Sequence, residues 1–333
     1  MGLQSSLIIV LSLVVLAATG AGVSAFQPLL AVVIPYTVLT VFLVGLCWRV
    51  FIWAQSPVPF RIPTTAGQQK SFSWLKANKL DNPSGTAGVI GRMLLEILFF
   101  RSLFRNTKAE LRKGPKLAYG WEKWLWLAGL LFHWSFLIIL IRHLRLFVQP
   151  VPALVRFTES LDGFIQWGLP TIYITDVLMV AAVTYLFLRR IVIPQLRYIS
   201  LPADYFPLLM ILGIAFSGIT MRYFLRVDLG AVKELAVSLA MLSPKVPEGI
   251  GAVFYVHIFL VSVLFMYFSF SKLMHMGGIF LSPTRNLANN SRAKRHINPW
   301  NYPVDVHSYA EYEADFGKKM EAIGLPLERE ERQ

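Results

Sequence analysis

The 333-residue sequence contains a single cysteine, Cys47. A lone thiol cannot close a disulfide within the chain, anchor a c-type haem, or ligate an iron–sulfur cluster. Any such centre working with this chain must sit on another subunit. Charge is scarce too: only 15% of residues are Asp, Glu, Lys or Arg, and the 19 acids are outnumbered by 32 Lys and Arg. With 55% hydrophobic and 14% aromatic residues, too little polar surface remains for a soluble domain, and the sequence reads as a polytopic membrane protein. No internal repeat is evident. Gly85, Gly88 and Gly91 have neither the spacing nor the preceding strand of a dinucleotide-binding turn.

What is present is a set of long apolar runs. Runs able to cross a hydrocarbon core of about 30 Å fall near residues 6–25, 28–53, 122–148, 167–193, 205–227 and 250–280, predicting six transmembrane helices. The small-residue segment Ala18 to Ala25 is compatible with a signal-peptide cleavage site, but Met1 to Ser6 carries no basic residue, which favours a retained helix. The 54–121 segment holds eleven Lys and Arg against Asp81, Glu96 and Glu110. More basic residues follow the fourth run (Arg189, Arg190, Arg197) and the sixth (Arg285, Arg292, Lys294, Arg295). Basic loops stay on the cytoplasmic side, so this pattern predicts an inner-membrane protein with both termini cytoplasmic. The net charge of +13 then reflects topology, and no nucleic-acid partner is expected.

The expected organisation has four parts. Residues 1–53 form two N-terminal transmembrane helices. Residues 54–121 form a cytoplasmic loop in which Ile90, Met93, Leu94, Ile97, Leu98 and Phe104 recur at helical spacing beside Arg92, Arg101 and Arg105. That pattern suits an interfacial helix against membrane lipid, or one packed on a soluble partner. Residues 122–280 form a four-helix unit. Residues 281–333 pass from a basic stretch through Pro299-Trp300-Asn301-Tyr302-Pro303 to an acidic end, and read as a tail that docks on a cytoplasmic subunit or stays disordered.

Chemistry concentrates in four histidines. His133 and His143 lie ten residues apart on the third apolar run, and His257 and His275 eighteen apart on the sixth. On a helix, eighteen residues make five full turns, about 27 Å on one face, while ten residues rise about 15 Å into a neighbouring sector. Two antiparallel helices can then share two axial ligand pairs, His133 with His275 and His143 with His257, as a membrane protein holds two b-type haems. Tilt between the helices must absorb the unequal separations. A single membrane histidine is more often a satisfied polar group at a helix interface, but here all four fall on two helices. Such bis-histidine centres leave no open axial position, so the chemistry is electron transfer and no bond-making residue is expected.

Candidate partners for haem propionates are Arg142, Arg145, Arg222 and Lys272, each of which could instead snorkel to the headgroups. Asp176 stands about nine positions inside the run that begins near Trp167. An acid there must be paired or wet, so it either relays a proton to a quinone or pairs with an arginine.

The histidine order and spacing resemble those of the respiratory nitrate reductase gamma subunit family over residues 122–280. Further segments resemble the DsrM family of cytochrome b subunits from the transmembrane Dsr complexes of dissimilatory sulfur metabolism. They include Pro57-Val58-Pro59-Phe60-Arg61-Ile62-Pro63, Lys79-Leu80-Asp81-Asn82-Pro83, Phe99 to Glu110, His133-Trp134-Ser135-Phe136 and Leu201 to Pro207. This resemblance implies an all-α, six-helix diheme cytochrome b bundle serving as the electron-transfer subunit of a quinone-linked oxidoreductase complex. It also implies two haem b, menaquinone as bound substrate, a DsrK-like cytoplasmic iron–sulfur partner resembling a heterodisulfide reductase catalytic subunit, and DsrJ-, DsrO- and DsrP-like subunits. The family's quinone pocket lies near the outer haem; its lysine has no counterpart here, and Arg145 is the nearest substitute. Rivals within the class are nitrate reductase gamma and heterodisulfide reductase cytochrome b subunits. Outside it stand a transporter lined by the membrane histidines, Asp176 and Arg222, and a purely structural anchor.

Overall fold

In the computed structural model, the described residues are 2–56, 74, 76–112, 114, 116–163, 170–289 and 307–327. The proline-rich opening at 57–63, Trp167 and the 299–303 patch lie outside them. The elements in order are α1 (Gly2–Ala21), α2 (Ile34–Gln55), α3 (Thr86–Phe99), α4 (Arg101–Phe104), β1 (Thr107–Arg112), β2 (Lys116–Trp121), α5 (Lys123–His143) and α6 (Ala153–Asp162). They continue with α7 (Ile174–Val192), α8 (Pro194–Ile199), α9 (Pro202–Ile219), α10 (Leu229–Ala240), α11 (Ala252–Phe268), α12 (His275–Leu281), α13 (Pro283–Asn286) and α14 (Tyr309–Ala322).

Among the described residues, four helical stretches are long and apolar enough to cross a membrane: Gly2–Ala21, Ser24–Gln55, Lys123–Leu146 and Pro202–Leu225. Ala252–Phe268 with Lys272–Leu281 makes a fifth if that bent pair is one span. Residues such as Ile8, Val44, Trp124 and Phe216 point outward from these helices, as lipid-facing side chains do. The chain is a multi-pass membrane protein. The bundle is sewn together at one end: the start of α1 meets the start of α9, where Ser6 Oγ donates to the Pro202 carbonyl at 3.0 Å. At the same end, Arg189 closing α7 pairs with Glu122 just before α5 at 3.0 Å, and Lys272 after α11 pairs with Asp204 in the first turn of α9 at 2.8 Å.

Two expectations about the spans need correction. Trp167, near which the fourth run was expected to begin its helix, lies outside the described residues, and Asp176 proves to be close to the start of the described helix. Pro170 has no amide hydrogen to give, the backbone stays extended at Tyr173, and α7 starts at Ile174. Asp176 therefore sits in the first turn, near one end of the bundle, and α7 falls short of the other spans in apolarity because it also carries Arg189 and Arg190 in its last turn. The sixth run is not one straight helix. It breaks after Phe268 and bends by 72°. Buried Ser269 donates its hydroxyl across to the Phe42 carbonyl at 2.9 Å, and Ser271, with extended backbone, accepts from the Leu273 amide to start the next turn.

The cytoplasmic-loop expectation also changes in detail. The helical period is realised as α3, but residues 107–121 form an antiparallel hairpin with Thr107 opposite Trp121 and Ala109 opposite Tyr119, an element the all-α reading did not contain. Between α3 and α4 the chain turns at Phe100, whose φ of 49° and ψ of 48° put a side-chain-bearing residue in the left-handed region, at a cost of about 1–3 kcal/mol. Arg92 and Glu96, on the polar side of α3, are buried. They clasp the chain that follows α12. Arg92 donates to the carbonyls of Arg285 and Leu287, while Arg285 donates to Glu96 at 3.1 Å and to Ser102 at 2.6 Å. The apolar side of α3, with Ile90 and Leu94, stays exposed.

Candidate functional site

The four histidines stand on three elements: His133 and His143 on α5, His257 on α11, and His275 at the first position of α12. The 72° bend carries His275 to His133, with ring centroids 5.9 Å apart. That separation is about that of two metal–nitrogen bonds of ~2 Å plus the two ring radii. His143 and His257 lie within electrostatic reach of one another. α5 packs chiefly on α7, and α11 on α1, α2 and α9, so the helices bearing each pair are not pressed backbone to backbone. A flat ligand between them would meet side chains only.

The second nitrogen of each ring decides what the first can do. His133 Nδ1 lies 2.7 Å from the Gly129 carbonyl, His143 Nδ1 2.7 Å from that of Ile139, and His275 Nδ1 2.9 Å from that of Lys272. A carbonyl only accepts, so Nδ1 must carry the proton and Nε2 keeps a free lone pair. His257 Nδ1 is held instead by Ser217 Oγ at 2.9 Å. All four rings are thus fixed in the manner of metal-binding imidazoles, with Nε2 left to coordinate. Among the described residues no three His, Cys, Asp or Glu side chains converge on a point that could hold a bare metal ion. The donors come as imidazole pairs, which fits a haem iron carrying its own four equatorial nitrogens.

The surroundings of the two pairs differ. His133 is wedged between the rings of Phe100 and Phe132, 4.9 and 4.8 Å away and both edge-on. Beyond the outer pair lies a polar cluster. Buried Arg142 reaches Asp176 at 2.7 Å and Asp162 at 3.2 Å, and Asp162 is further held by the amide and hydroxyl of Thr175 at 2.8 and 2.6 Å. Tyr223 donates to Asp176 at 2.8 Å. The Tyr173 ring lies between two guanidinium groups, Arg142 at 3.8 Å and Arg222 at 4.2 Å from its centroid.

The remaining expected residues are placed as follows. Asp176, expected either to relay protons or to pair with an arginine, is paired with Arg142. Arg142, expected beside a propionate, is engaged by two carboxylates. Arg145 pairs with Glu159 at 2.8 Å and Lys272 with Asp204, so each already has a protein counter-charge. Arg222 donates to the Thr171 carbonyl at 3.1 Å, leaving its Nε buried without a partner. Arg49, which sequence reasoning passed over, has the same orphaned Nε and lies over Trp53, whose ring faces Gly277 and Gly278 just after His275. Arg49 is the basic residue best placed to meet an anionic group near the inner pair. An arginine inside the apolar run at 28–53 was the available signal.

A sequence model of the nitrate reductase gamma subunit family matches residues 119–293, just over half the chain and all four histidines. The chain is 46% identical over 282 residues to a protein of Archaeoglobus fulgidus named Hdr-like menaquinol oxidoreductase cytochrome b-like subunit, covering 83% of this chain and 84% of that one. It is 40% identical over 274 residues to a protein of the same name from Archaeoglobus profundus, covering 80% and 81%.

Proposed function

The chain belongs to the nitrate reductase gamma subunit family, and from that premise we propose that it is a diheme cytochrome b subunit passing electrons between a menaquinone-type pool and a cytoplasmic iron–sulfur partner. The observation that carries this is the pairing of His133 with His275 at 5.9 Å, with every candidate ligand held through Nδ1. The haems, when bound, supply one-electron transfer. The chain's own residues orient the imidazoles, set the Phe100 and Phe132 rings edge-on to His133, and hold the charges beyond the outer pair.

In this reading the quinone meets the outer end, where Asp176 and Tyr223 form the hydrogen-bonded group nearest to accepting a proton from quinol. The basic 76–116 region and the tail face the cytoplasm. α7 is the sixth crossing: its 19 residues span about 28 Å, close to the hydrocarbon thickness, with charges only in its end turns. The relatives' names support a heterodisulfide reductase-like iron–sulfur partner. The DsrM-like segments narrow this to the Dsr complex of sulfur metabolism, with DsrK-, DsrJ-, DsrO- and DsrP-like subunits.

The test is a reduced-minus-oxidised spectrum with pyridine haemochrome quantitation on the purified chain. About two haem b per chain is the expected result. A folded chain without a Soret band would refute the reading and favour a transporter. Co-purification of a sulfite-reduction or a nitrate-reduction iron–sulfur subunit separates the two assignments within the class.

A further inference from the structure

The left-handed corner at Phe100 is an outlier with no local reason. A glycine at this C-terminal position of α3 would adopt the same backbone without strain. The sequence keeps an aromatic side chain there, and the surrounding structure over-determines it. The last carbonyls of α3 have no partner within the helix. Two indoles of α5 satisfy them, Trp134 Nε1 donating to Leu98 at 3.0 Å and Trp126 Nε1 to Phe99 at 2.7 Å. On either side of the corner, Glu96 accepts from Ser102, and Arg285 from the chain after α12 binds both. These contacts hold the corner at which the Phe100 ring meets His133 in a T-shaped pair, centroids 4.9 Å apart.

We propose that Phe100 is a positioning residue for His133: the corner fixes the imidazole's orientation and seals the inner centre from water, thereby setting its reduction potential. The proposal rests on the haem reading above. Strain at a functional site persists only where its surroundings enforce it, and the apolar shell of a metal centre governs solvent access and potential. With the ring removed, water reaches the centre and favours the more highly charged oxidised form, so the potential falls. The corner's support extends to Arg285, 193 residues from Arg92 in sequence, so it is held by the same chain segment that leads into the tail.

The experiment compares wild type with Phe100→Gly, Phe100→Leu and Phe100→Tyr in the full chain, each also in a His143→Ala background that isolates the inner centre. Haem is quantified first, followed by potentiometric titration and low-temperature EPR of the low-spin lines. Gly and Leu should retain inner haem but shift its reduction equilibrium about tenfold toward the oxidised form, 59 mV for a one-electron couple. Its EPR line should move, the outer centre should not, and Tyr, which keeps the ring, should behave as wild type. Loss of haem from the inner centre alone in the Gly variant would also support the proposal. If Gly and Leu left the inner potential and line unchanged with haem retained, the proposal would be overturned. Should wild type itself bind no haem, the haem reading fails instead, an outcome the first quantitation identifies before any variant is compared.

Discussion

The inner and outer ends of the α5 histidine pair are built from opposite materials. At the inner end, His133 is flanked edge-on by two phenylalanine rings, and the protein reaches it through a strained corner and a bent helix. At the outer end, the helix closes on a cluster of two carboxylates, two guanidinium groups and two phenols around Arg142. The rings packed on His133 at the inner end are apolar and have no proton to exchange. The outer surroundings contain the groups a proton-coupled substrate needs. In the proposed reading the contrast separates an electron port facing a protein partner from a port facing a quinone, and it can be broken from either side.

Removing a ligand should have the largest effect. His143→Ala should lower haem from about two per chain towards one while the inner spectrum persists, and His275→Ala should do the reverse; haemochrome quantitation with EPR distinguishes them. Arg142→Ala comes next. It leaves Asp162 and Asp176 buried without their cation, a loss of about 3–5 kcal/mol by precedent for broken buried pairs. Thermal unfolding followed at the Soret band should show it, with the outer centre lost first. Asp176→Asn should cost less, because Asp162 still holds Arg142; unchanged quinol-dependent haem reduction in that variant would remove Asp176 from the proton path.

Where α3 meets the chain after α12, Arg285→Ala leaves buried Glu96 without its cation, although Ser102 remains. About 1 kcal/mol is expected, because the arginine is partly exposed. Faster proteolysis within 86–104 would report it. The smallest effect is with pH. Burial pushes the Asp81 carboxyl up, but hydrogen bonds and charge from Arg101 and Arg105 outweigh it and hold the group below its ordinary value. A depressed carboxylate contributes stability that is present above its unfolded value and lost as pH falls through the folded one. Hydrogen exchange of residues 78–105 should therefore accelerate only below about pH 4, and Asp81→Asn should abolish that acid step.

Much of this was legible in the chain itself. The apolar runs mark α1, α2, α5 and α9, and the histidine spacing marks which helices carry the ligand candidates. The helical period of 90–104 marks α3. What failed did so for identifiable reasons. The bend at Ser269 to Ser271 is hidden in an apolar run, because a serine hydroxyl can equally bond within its own helix or across to α2. Asp176 looked deep because apolar character in the sequence continues upstream of Ile174, where α7 starts. Arg92 looked like a headgroup contact, since its acceptors are backbone carbonyls, which leave no trace in side-chain patterns.

The sequence alone determined that this chain lives in a membrane, has no sulfur ligands of its own for a cluster, and presents four imidazoles on two apolar runs, because those depend on composition and local period. Only the tertiary structure decided that His275 reaches His133 through a 72° bend, that Phe100 is held against His133, and that Arg142 answers two acids at once. Each of those contacts joins residues far apart in the chain, and their energy exists only once the helices have packed.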